Sequence, residues 1–163
     1  MVGDVRDMGY LRSINEEFHT LLEEREGFFM RFDTFATLEK ALLDAFGALG
    51  LTILYLAGVE CGKMYYDRIS HITTDEKEML ELVRKLKWER NWGDFQIEID
   101  KERRVCKVTL KGLFETRTKI NEHCPFVRGY MVGFLSKLLK RKVRFEKEAC
   151  KREICELYYK IEQ

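Results

Sequence analysis

The apolar residues of this chain change period near residue 95, and that change limits the folds open to it. Before it, Phe35, Leu38, Leu42, Phe46 and Leu49 recur at helical spacing. The same period runs through Leu54, Ala57, Gly58, Cys61, Tyr65 and Ile69, then through Met79, Leu80, Val83 and Leu86. After it, Phe95, Ile97 and Ile99 alternate with Gln96, Glu98 and Asp100, the pattern of a half-buried strand. The segment DKER turns the chain, and Cys106, Val108 and Leu110 form the apolar face of a returning strand. Val143 and Phe145 mark a third strand, and Cys155, Leu157, Tyr159 and Ile161 face inward from a fourth. One helix interrupts the strands: it starts at Pro125 and carries Val127, Tyr130, Met131, Phe134, Leu135 and Leu138 on one stripe. Proline in a first helical turn sacrifices no backbone hydrogen bond. The expected class is α+β, an antiparallel β-sheet of about four to five strands with helices packed on one face.

Local signals place the boundaries. Asp33 or Thr34 is expected to cap the first of these helices and Gly50 to end it. Thr73-Thr-Asp-Glu76 reads as a capping box. Upstream, Ser13 to Glu26 has the pattern of an amphipathic helix and Phe28 to Phe32 that of a short strand. No repeat or Pro/Gly/Ser linker divides the 163 residues, so residues 1–163 are expected to form a single domain, with residues 1–12 loosely ordered.

Lys and Arg total 29 against 28 for Asp and Glu, which lacks the basic excess of a chain that binds phosphate backbones, so nucleic acid is not expected as a partner. No membrane span is expected, because no apolar run reaches about 18 residues. The opening MVGDVRDMGYLR has no apolar core after a basic start, so a cytoplasmic location is expected. Five cysteines is an odd number, and in that compartment they are expected as reduced thiols.

Glycine recurs at i and i+4 in two helical segments, as Gly58/Gly62 and Gly129/Gly133. Each costs a helix about 1 kcal/mol relative to alanine, so close approach of another backbone is the expected return. The functional alternative is space for a ligand, with Tyr130, Met131 and Phe134 as ligand-pocket candidates. Catalytic motifs are absent: there is no phosphate loop, G-x-S-x-G or H-E-x-x-H, and His19, His71 and His123 show no metal-ligand spacing. The sequence therefore leans away from an enzyme.

Cys150 and Cys155 bracket a tight polar turn between two strands, which would bring both sulfurs to one ion. Tetrahedral zinc needs two further ligands. Cys124 qualifies by its place at the start of the Pro125 helix, where partial positive charge favours thiolate. Glu148, Glu146 or His123 are candidates for the fourth. The plainer alternative makes Cys155 a core residue and Cys150 an incidental surface thiol. Cys61 and Cys106, on apolar faces, read as core.

The stretch CPFVRGYMVGFLSKLLKRKVRFEKEACKREICELYYKI resembles the core of the 4-vinyl reductase domain family, and LYLAGVECGKMYYDRI resembles that family's other Gly-x-x-x-Gly helix. The likeness spans most of residues 28–161. It implies a fold similar to small subunits of the TRAPP vesicle-tethering complex, a homodimer, and binding of a small apolar or aromatic molecule. It also implies kinship with aromatic-sensing domains of bacterial transcription activators, in which three Cys and one Glu hold a zinc beside the ligand. Carried over, the metal ligands are Cys124, Cys150, Cys155 and Glu148. The family's acidic residue falls on Lys147, between Glu146 and Glu148, where a bulge or register shift would let either Glu reach the metal, Glu148 being preferred. Two other readings accompany this one, a reductase-type or zinc-dependent enzyme and an interaction scaffold like the TRAPP subunits.

Overall fold

The computed structural model describes residues 30–117 and 123–163. Residues 31–163 form one compact unit. The expectations for residues 1–12 and for Ser13 to Glu26 lie outside the described residues, as do Phe28 and Phe29 of the expected short strand; Met30 and Arg31, which are described, form no strand. Phe32 itself opens a helix.

Three helices come first: α1 (Phe32–Phe46), α2 (Ala48–Ser70) and α3 (Glu76–Glu89). Strands β1 (Asp94–Asp100) and β2 (Val105–Lys111) follow, then the short α4 (Phe114–Arg117) and α5 (Pro125–Leu139). Strands β3 (Val143–Lys151) and β4 (Ile154–Ile161) complete the unit. All three pairings are antiparallel, in the order β1-β2-β4-β3. The α+β class expected from the change of period is the one observed, with four strands. One sheet face buries Phe95, Cys106, Val108, Leu110, Cys155, Leu157, Tyr159 and Ile161. The other carries polar pairs such as Lys107 with Glu156 at 2.7 Å. Among the described residues no helix is long and apolar enough to cross a membrane.

The two glycine pairs interlock α2 with α5. A methyl group on Gly58 would collide with the Phe126 carbonyl oxygen, and one on Gly62 with that of Tyr130. In return, Gly129 faces the carbonyl of Tyr55 and Gly133 that of Val59. Backbone therefore fills the space those missing side chains leave, as the structural reading of the pairs expected.

Three boundary expectations are corrected. Helix α1 begins at Phe32 after Arg31, which makes no side-chain cap bond, so Asp33 and Thr34 lie inside its first turn and do not cap it. Helix α1 ends at Phe46, and Gly47 turns the chain at φ 56°, where its N–H bonds the Leu43 carbonyl. Gly50 lies inside α2, where the α1 backbone at Leu42 crosses too closely for any side chain. The cap of α3 is Asp75, whose carboxylate accepts from Glu78 N at 2.9 Å. Thr73 instead donates its hydroxyl to the Glu78 carboxylate at 2.7 Å.

Candidate functional site

Helix α5 passes two groups of buried polar side chains, one at its N-terminus and one at its middle. At the N-terminus, Glu115 of α4 is fully buried and accepts from Phe126 N at 2.9 Å and Val127 N at 3.0 Å. This carboxylate caps backbone donors that a helix starting with proline leaves unpaired. Burial pushes the Glu115 carboxyl up to about 8, against the two N–H donors, and the neighbouring Glu39 pushes the same way.

Cys124 precedes this helix and is also buried. Strand β3 brings Glu148 to it by a register shift between Phe145 and Lys147. Val143 and Phe145 pair with Ile161 and Tyr159 of the buried β4 face, and after the shift Glu148 and Cys150 pair with Leu157 and Cys155 of that same face. The parity of the strand changes at the bulge. Glu146 is left exposed, 3.8 Å from Arg144. Glu148 Oε2 lies 3.9 Å from Cys124 Sγ, and its other oxygen contacts His123 Nδ1 and stands 3.6 Å from Arg128 Nη1.

The sulfurs differ from expectation. Cys150 and Cys155 are joined in a disulfide, not held as two reduced thiols, because the antiparallel register sets them directly opposite one another with Cα atoms 4.0 Å apart. Cys124 differs as well. Its helix-start position argues for thiolate, but burial raises its pKa well above the thiol range, and the carboxylates of Glu115 and Glu148 add to the effect. With the disulfide formed, no group of three or more His, Cys, Asp or Glu side chains among the described residues is arranged to hold a metal ion. The donor types suit zinc; two of the sulfurs become thiolate donors only on reduction.

At the middle of α5, Tyr130 joins a cluster of aromatic rings. Trp92, in the turn after α3, lies 5.5 Å from the Tyr130 ring, and Tyr65 of α2 lies 5.7 Å from it. Lys87 projects among them, 3.6 Å from the Trp92 ring centre, 4.1 Å from Tyr65 and 4.2 Å from Tyr130. The lysine is 3% exposed. Burial, and secondarily the Arg90 cation, hold its amine well below the ordinary lysine range. The hydroxyls of Tyr65 and Tyr130 are both buried without a hydrogen-bond partner. Cys61 is half-buried beside this group and feels the Lys87 charge, so it borders the box; Cys106 is core.

The fold has a counterpart of known structure. The crystal structure of the phenol-responsive sensory domain of the transcription activator PoxR, with phenol, matches at a TM-score of 0.69 and 16% identity. The match covers 83% of this chain and 76% of that one. At this identity the likeness is one of fold. No protein-family model and no curated protein matches the chain.

The three pocket candidates separate. Tyr130 faces the Lys87 box, Phe134 packs edge-on against Tyr66 at 6.1 Å, and Met131 is fully buried. Two shallow depressions, one by Arg84 and Asp94 and one by Asp33 and Leu38, touch none of them. Sequence reasoning missed Lys87, Tyr65, Trp92 and Glu115. A signal existed for Lys87, which follows Met79 and Val83 at steps of four on the buried stripe of α3.

Proposed function

We propose that this protein binds and senses a small aromatic molecule, with the box of Tyr65, Trp92 and Tyr130 around Lys87 as its recognition site. The observation that carries this reading is the box itself. Two buried hydroxyls without partners and a buried amine sit among three rings, an arrangement that costs stability unless something else uses it. Likeness of fold to a phenol-responsive sensory domain supports the same ligand class. Trp92 gives a direct probe once the exposed Trp88 is replaced by phenylalanine. Titrating the W88F protein with phenol should quench its fluorescence saturably; a flat response from folded protein would sink the reading.

Reduced protein is further proposed to hold one Zn²⁺ through Cys124, Cys150, Cys155 and Glu148, as the family resemblance implies. The side of Glu148 facing Cys124 supports this, and Arg128 beside it would offset part of the negative charge. Zinc held by four protein ligands would tie the β3–β4 hairpin to the start of α5 and favours a structural role. A cytoplasmic location fits this form, since thiols stay reduced there. Under reducing conditions Cys150→Ser should lose its zinc, and equal metal content in variant and wild type would exclude the set.

A homodimer completes the proposal. Leu49, Ile53, Leu56 and Met64 form an exposed apolar stripe along α2, on the side away from its glycines. The same stripe suits a scaffold that meets a different partner. Light scattering separates the two: a mass of two chains supports the homodimer, and a single chain that assembles only with another protein supports the scaffold.

A further inference from the structure

We propose that Lys87 is the polar anchor of the aromatic box, and that the ligand it selects is an aromatic carrying an acidic oxygen, an arylcarboxylate or an acidified phenol. This rests on the aromatic-binding reading above and names the chemistry within it.

The argument begins with the cost of the lysine. A buried amine normally pairs with a carboxylate or with several hydrogen-bond acceptors. Around Lys87 the charged and titratable neighbours are Arg90, just after α3, and Cys61 on α2, and aromatic faces from α2, α5 and the Trp92 turn close on its amine. An uncharged, non-titrating residue such as methionine would fill the same volume at lower cost. What lysine adds is a basic nitrogen at the centre of a flat-walled box, with two unused hydroxyl donors on the walls.

Aromatic rings on three sides suit a ring-shaped guest, which would displace the amine from their faces. The displaced amine then needs an acceptor, and the guest's oxygen supplies one. An acidified phenol transfers its O–H proton to the Lys87 amine, which becomes ammonium and leaves the ligand as phenolate. Arylcarboxylates arrive already ionised, and the amine then takes its proton from water. In both cases the product is an oxyanion facing one ammonium, with the hydroxyls of Tyr65 and Tyr130 free to donate. Neutral arenes would satisfy the rings and leave all three polar groups unpaired, which is the basis of discrimination.

Benzoate and benzyl alcohol test this by calorimetric titration of the reduced full chain, since they share a ring and differ in the acidic oxygen. Benzoate should bind at least about tenfold more tightly, as expected for a charge-assisted hydrogen bond. Lys87→Met should lose that preference, bringing the two ligands within about threefold. Equal binding of both by wild type overturns the assignment to Lys87 and leaves the aromatic-binding reading standing. Binding of neither overturns both. Should the variant fail to fold, the wild-type ratio alone decides.

Discussion

The two ends of the buried surface of α5 treat polar groups in opposite ways. At the N-terminus, the Glu115 carboxylate is matched to two backbone donors, and Glu148 lies among Cys124, His123 and Arg128, where Arg128 Nε is the exception, buried without a hydrogen-bond partner. At the middle, Tyr65 and Tyr130 keep hydroxyls without partners and the Lys87 amine lies against the ring faces of Tyr65, Trp92 and Tyr130. Buried polarity that is satisfied locally belongs to the architecture; buried polarity that is not satisfied is a cost the fold carries for some other purpose. The contrast predicts that removing polar atoms hurts at one end and helps at the other.

The largest effect should come from the seam that holds both ends in place. Gly129→Val drives a side chain into the Tyr55 carbonyl and should destabilise the fold by about 3 kcal/mol or more, measured by urea unfolding. Next is Glu115→Ala, which strands the Phe126 and Val127 amides and should cost about 2–3 kcal/mol. Its pH dependence has a defined sign. Because the folded-state pKa lies above the ordinary 4.5, the folded protein holds the proton more tightly. Stability is then greatest below about 4.5 and falls as pH rises towards about 8, and Glu115→Gln should remove that slope. A thermal-melting series across that range reads it.

Lys87→Met should act in the opposite direction, raising stability by about 1–2 kcal/mol near neutral pH while abolishing acid-selective binding. The lysine slope is also reversed. A folded-state pKa depressed by burial means that stability rises with pH from that depressed value up to the unfolded value of 10.5. The smallest effect belongs to Tyr130→Phe, within about 0.5 kcal/mol of wild type, since no protein hydrogen bond is lost. A loss above about 2 kcal/mol there would erase the distinction between the two ends.

Much of the architecture was legible because it rests on short-range pattern. Alternation at Phe95, Ile97 and Ile99 and the two glycine pairs each follow from one backbone geometry, strand or close helix crossing. What escaped depended on long-range placement. Gly50 reads as a helix end because glycine usually is one, yet a crossing α1 backbone requires it mid-helix. Lys87 and Glu115 read as solvated charge because most Lys and Glu are, and only the packing of α2 and α5 around them reveals their burial. The Cys150–Cys155 disulfide was hidden for a related reason: their spacing brings the sulfurs together equally well for a metal or for each other.

The register shift in β3 makes that strand a text with two reading frames. Before the shift, Val143 and Phe145 face the helices; after it, the even-numbered Glu148 and Cys150 do. A substitution scan should therefore find sensitivity on odd positions at one end and even positions at the other. Deleting the single residue Glu146 would merge the frames and straighten the strand, leaving Glu148 opposite Leu157 and Cys150 opposite Cys155, both still turned inward. One extra residue of chain length thus switches the parity of the strand, so that even positions, Glu148 beside Cys124 among them, face the interior in the second frame.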